Sequence, residues 1–121
     1  MTRKKRKKIS SRQLSSLVAK AAEKKSAMDI KIIDVRKSTD LTDYFILCSG
    51  ESSPQLIAIL KEIIGEVKKA GGERPKWEGS VNSSWFILDL GDVVVHIMGE
   101  EERKKYNLEE LWEKSAIIYH E

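Results

Sequence analysis

Apolar residues recur along this chain at two different periods, and the switches between them mark out its elements. Between residues 10 and 25, Leu14, Leu17, Val18, Ala21 and Ala22 form one stripe at helical spacing. Ser10 or Ser11 stands where a cap for that helix is needed. Residues 29–35 (DIKIIDV) are rich in β-branched side chains with partial alternation and predict a strand. A polar connection over 36–43 follows, and then the apolar run 44–48 (YFILC) predicts a buried strand. Residues 49–54 (SGESSP) read as a turn into a second helix, with Ser53 as N-cap and Pro54 at the first helical position, where its missing N–H costs no bond. Ile57, Leu60, Ile64 and Val67 carry that helix to Gly71 and Gly72, which suit its end. Leu56, Ile59 and Ile63 widen its stripe, which calls for either deep burial or a second packing partner.

Residues 73–78 predict a short edge strand limited by Pro75. The runs 85–89 (WFILD) and 92–96 (DVVVH) flank Leu90–Gly91 as a hairpin. One or two short helices are expected over 100–114, anchored by Leu108, Leu111 and Trp112. The order of these elements predicts a single α/β (α+β) domain, a mixed sheet with helices over at least one face. If the strands flanking the second helix are parallel, their crossover is right-handed. The reading divides the chain into a disordered basic tail (1–9), a folded domain (10–114) and a C-terminal extension (115–121).

Composition changes this picture little: 121 residues make one domain, 40% hydrophobic and 34% charged, as in soluble globular proteins. No apolar run approaches the roughly 18 residues of a membrane span, and no secretory pattern stands at the start. The single cysteine, Cys48, fits a reducing compartment and reads as a small buried strand residue rather than a reactive thiol.

Charge matters more once it is divided. Arg3, Lys4, Lys5, Arg6, Lys7 and Lys8 supply six of the 22 basic residues, which leaves 16 against 19 acidic ones, a body of net −3 behind a basic tail. Such a block stays solvated and can gain affinity for phosphates by counterion release. It is a candidate RNA contact; the body is not.

The hairpin sorts its residues into two faces. A turn at Leu90–Gly91 sets Trp85 opposite His96, Ile87 opposite Val94 and Asp89 opposite Asp92, with Phe86, Leu88, Val93 and Val95 behind. Moving the turn by one residue leaves the faces unchanged. The second set is a clean core; the first carries a tryptophan, a histidine and two aspartates. A solvent-facing tryptophan on a rigid strand suits a binding anchor, unless a C-terminal helix covers Trp85. Asp89, Asp92 and His96 are the sole candidates for acid–base or metal chemistry, but aspartates beside a turn usually serve local hydrogen bonds. Residues 50–53 (GESS) open a helix as phosphate loops do, without a Walker-type lysine or the dinucleotide glycine pattern. The triplets Glu100–Glu102 and Arg103–Lys105 suit a solvated helix face aligned with its dipole. His120 falls at the fraying end of the chain. No cofactor is expected.

Residues 42–50 (TDYFILCSG), 77–79 (WEG), 85–96 (WFILDLGDVVVH) and 106–112 (YNLEELW) together resemble the ribosomal silencing factor (Iojap-like) family, in the same order and over nearly the whole folded body. That resemblance implies a nucleotidyltransferase-like fold without enzymatic activity. It also implies a cytoplasmic translation repressor that binds the large ribosomal subunit through ribosomal protein uL14. There it would block joining of the small subunit when nutrients are short. Carried over to this chain, the partner-binding surface comprises Glu78, Trp85, Ile87, Asp89, Asp92, Val94 and His96. The family's homodimers would give the wide second-helix stripe a use. The alternatives are a nucleotidyltransferase-like enzyme using Gly50, Ser52 and Asp89, and an RNA-binding module acting through Arg3–Lys8.

Overall fold

Ser10 caps helix α1 (Ser11–Lys24). Its hydroxyl accepts the Gln13 N–H while the Gln13 side chain accepts the Ser10 N–H, so two helix-end donors are satisfied reciprocally. The computed structural model describes residues 9–72, 75–112 and 116–120, the last five by their backbone alone. After α1 come β1 (Met28–Asp34), β2 (Tyr44–Gly50), α2 (Ser53–Lys69), β3 (Lys76–Ser80), β4 (Trp85–Asp89) and β5 (Val93–Gly99). The short helices α3 (Glu100–Tyr106) and α4 (Leu108–Leu111) and the strand β6 (Ala116–His120) follow. The expected basic tail, Arg3–Lys8, lies outside the described residues, as does the 113–114 end of the expected final helix.

The six strands form one mixed sheet in the order β3-β4-β5-β2-β1-β6. β2 and β5 run parallel and every other neighbouring pair antiparallel. α1 and α2 cover one face, where Val18, Ala22, Leu56, Ile59 and Ile63 meet Ile30, Ile46, Leu88, Val95 and Ile97 in the main core. Cys48 is fully buried there, and burial pushes its thiol up to about 12, which leaves it inert. The wide stripe of α2 is accounted for by this burial: Leu56, Ile59, Leu60, Ile63 and Val67 are buried, and Ile57 and Ile64 pack against the same cluster.

Several expectations are corrected. The N-cap of α2 is Ser52, with Pro54 one position further in, because the Ser52 hydroxyl reaches the Gln55 N–H at 3.3 Å. The edge strand begins only after Pro75, at Lys76, and residues 73–74 of the expected strand are outside the described residues. The hairpin turns on Gly91 and Asp92, with the Leu90 N–H bonded to the Val93 carbonyl at 2.9 Å. Trp85 therefore pairs with Met98, Ile87 with His96 and Asp89 with Val94, while Asp92 belongs to the turn. Gly91 adopts φ 86°, a conformation that only glycine reaches without strain. The C-terminal segment is a sixth strand on the free edge of β1, and His120 pairs with Lys31 instead of fraying.

Candidate docking face

The sheet's other face is covered over half its width. In-register residues share a face, so three rungs can be followed across it. One runs Ser80, Trp85, Met98, Ser49; the next Glu78, Ile87, His96, Leu47, Lys31; the third Lys76, Asp89, Val94, Phe45, Ile33. Over β1 and β2, Leu108 and Trp112 pack on Ile33, Val35, Leu47 and Phe45. Over β3 and β4 the same face is open: Glu78 and Asp89 are exposed and Ile87 is 36% exposed.

Between the two halves stands a row of rings. Tyr106 lies against Trp85 at 4.8 Å between centroids, Phe45 meets His96 edge-on at 5.7 Å, and Phe45 meets Trp112 at 4.7 Å. The Trp85 Nε1–H donates to His96 Nδ1 at 3.1 Å, which places the proton of a neutral imidazole on Nε2. Burial alone lowers the His96 pKa to about 4. Trp85 is thus half-buried, flanked by Tyr106 of α3, rather than standing free in solvent. Ile87 and Tyr106, the latter 49% exposed, are fractionally more open to solvent than Trp85.

The chain reaches this arrangement by close approach. At Gly79, φ is 127° and a Cβ would collide with the Trp85 carbonyl oxygen and the Phe86 Cα, so only glycine lets β3 lie against β4 here. Trp77, on the helix-side face, meets Phe86 edge-on at 5.7 Å and remains 49% exposed.

α3 and α4 are held down by an ion cluster that charge patterning alone misplaces. Arg103 is not on a solvated face but 6% exposed. Its guanidinium donates to Ser49 Oγ at 3.1 Å and to Glu109 at 3.2 Å and pairs with Asp29 at 3.3 Å. Lys31 reaches the same Glu109 carboxylate at 2.9 Å. Both cations hold the Glu109 carboxyl below its ordinary range against the opposing effect of burial. Leu111, expected as an anchor, is 72% exposed; Leu108 and Trp112 do the packing.

Catalytic geometry does not assemble around the candidates for it. The Asp89 carboxylate accepts the Gly91 N–H at 2.8 Å, a local turn bond. Asp92 lies in the turn, and His96 faces rings. Among the described residues no three His, Cys, Asp or Glu side chains converge as a metal would need. In the 50–53 loop the Glu51 N–H is taken by Gln55 Oε1 at 2.6 Å, and Gln55 Nε2 bonds the Lys25 and Ser26 carbonyls. The loop is thus tied to the α1–β1 connection through Gln55 in the first turn of α2. No helix among the described residues is long and apolar enough to cross a membrane.

Residues 8–120 match the family model described as ribosomal silencing factor during starvation. The chain is 38% identical over 104 residues to the ribosomal silencing factor of Bacillus subtilis, covering 86% of this chain and 88% of that one. A crystal structure of a Chromobacterium violaceum protein superposes with a TM-score of 0.82 at 32% identity, over 86% of this chain and 87% of that chain. A mouse protein named for mitochondrial assembly of the ribosomal large subunit is 34% identical over 90 residues, 72% of this chain and 40% of its own length.

Proposed function

The chain belongs to the ribosomal silencing factor family, and from that premise we propose that it docks on the large ribosomal subunit through uL14 and sterically blocks joining of the small subunit. In this reading it represses translation in the cytoplasm when nutrients are limiting and performs no chemistry of its own. The observation that carries the proposal is the half-open sheet face: Ile87 and Val94 on rigid strands, Trp85 and Tyr106 as an amphipathic border, and Glu78, Asp89 and Asp92 around them. Interfaces concentrate binding energy in a few such aromatic and apolar anchors, with charged residues setting orientation at the rim. The name of the mouse relative supports the large subunit as the partner. The acidic rim suits a basic ribosomal protein and would speed encounter with it.

The test is co-sedimentation of the purified protein with separated large and small subunits at moderate salt. Migration with the large subunit only is expected. Trp85→Ala is expected to weaken it by about 2 kcal/mol, close to thirtyfold. Trp85→Phe, which keeps most of the packing against Tyr106, serves as the folding control. Migration with neither subunit, or undiminished binding by Trp85→Ala, overturns the reading.

A further inference from the structure

Leu41, in the loop between β1 and β2, is 89% exposed, more than any other large apolar side chain among the described residues. A lone exposed leucine on a mobile loop needs no explanation. This loop, however, is tied down along its length. The Arg36 guanidinium grips Asp34 through two bonds, at 3.0 and 2.7 Å, and lies over the Tyr44 ring. The Ser38 and Thr39 N–H groups bond the Val35 carbonyl, and the Leu41 N–H bonds Thr39 Oγ1 at 3.1 Å. Immediately after Leu41 the chain is clipped to the β4–β5 turn: Thr42 Oγ1 donates to the Gly91 carbonyl at 3.1 Å and the Asp43 N–H to the Asp92 carbonyl at 2.9 Å. Leu41 is therefore presented in a fixed place, beside the turn that ends the docking face.

The surroundings are acidic. Asp40 and Asp43 flank Leu41, and Asp89 and Asp92 bracket the turn to which the loop is clipped. Arg36 is paired with Asp34 and lies within electrostatic reach of Asp43, so the rim keeps an excess of carboxylates over the cations Arg36, Lys37 and Lys76.

We infer that Leu41, with this aspartate rim, is a second contact point for the protein partner of the docking face and inserts into an apolar socket bordered by lysine or arginine. The inference rests on the docking reading above and extends its footprint around the end of the sheet. Preorganisation gives the contact its worth, since a loop backbone already tied down loses little entropy on binding and only the Leu41 side chain has still to be ordered. RNA is disfavoured because its phosphates would face four carboxylates. A second copy of this chain is disfavoured because a twofold contact would bring the same acidic rim against itself.

The test measures association and dissociation rates of the full chain with isolated uL14, at low and moderate salt. Leu41→Ala is expected to raise the dissociation rate roughly tenfold or more and to leave association nearly unchanged. Asp40→Asn with Asp92→Asn should instead slow association several-fold at low salt and flatten its salt dependence. Both sets of changes are at the surface, and an unchanged urea midpoint confirms intact folding. If Leu41→Ala binds as wild type while Trp85→Ala does not, the docking face stands and the second contact falls. If the wild-type chain does not bind at all, the docking reading fails and takes this inference with it. A change only in the self-association of the free protein, or only in binding to a ribosomal RNA fragment, would also overturn it.

Discussion

His96 occupies a position where a charge is hard to keep. Ile87 and Leu47 flank it in its own rung, the Phe45 ring meets it edge-on, and the one polar contact to its Nδ1 is a donor, the Trp85 indole, that requires a lone pair there. The folded imidazole therefore has its pKa lowered to about 4, whereas the unfolded one protonates near its ordinary value. The unfolded chain takes up the proton first as pH falls. Stability conferred by the neutral ring is accordingly complete above about pH 6.5 and is lost progressively down to about pH 4, by at most about 3 kcal/mol. Urea denaturation at pH 7 and pH 4.5 checks this against His96→Gln, whose amide oxygen can still accept the indole N–H. The variant should lose about 2 kcal/mol less than wild type between the two pH values. Equal losses would show that His96 does not titrate as its packing demands. The pair of Trp85 and His96 is thus a rigid unit of the half-open sheet face.

At the scale of elements, α3 and α4 act as a strap, and Arg103 is its fastening. Breaking a buried ion cluster from one side usually costs 3–5 kcal/mol, discounted here because Lys31 still neutralises Glu109 and Asp29 is half-exposed. Arg103→Ala should therefore destabilise the fold by about 2 kcal/mol and speed amide exchange across residues 100–112 ahead of the central strands. Exchange that rises uniformly, or not at all, would contradict the strap. This fastening also shows where the sequence runs out of information. Charge triplets at helical spacing signal solvation equally well whether or not a carboxylate six residues on, Glu109, folds back onto one of them. Strands and helices were legible because periodicity is a local property, and the two faces of the hairpin survived an error in its turn because a shift of both strands together preserves alternation. Ser52 could not be told from Ser53 because two adjacent serines stand at the helix start, and the choice was made by which hydroxyl reached the Gln55 N–H: Ser52, which leaves Ser53 as the first helical residue. The sixth strand, 116–120, lay hidden because its partner is β1, far away in sequence. Trp85, Ile87 and Val94 could be placed on one face in advance; Tyr106 could not, since its position depends on how α3 is fastened.

At the scale of the whole molecule, charge is separated along the chain rather than balanced. Residues 3–8 contribute six positive charges and the rest of the chain nets −3. The two parts are suited to different targets: the acidic body to a basic protein, the tail to phosphate. Deleting residues 1–8 turns a chain of net +3 into one of net −3, and the sign of the consequence depends on what is being bound. Against isolated uL14, the truncated chain should associate faster, because a repulsive contribution has been removed. Against the intact large subunit it should bind modestly more weakly, with a shallower salt dependence, because counterion release at RNA is lost. Rate measurements on the isolated protein and salt-titrated co-sedimentation with the subunit separate the two effects. Loss of all binding on truncation would mean that the tail, not the sheet face, carries recognition. Opposite shifts against the two targets would place recognition in the folded body and leave the tail an auxiliary electrostatic contact with RNA.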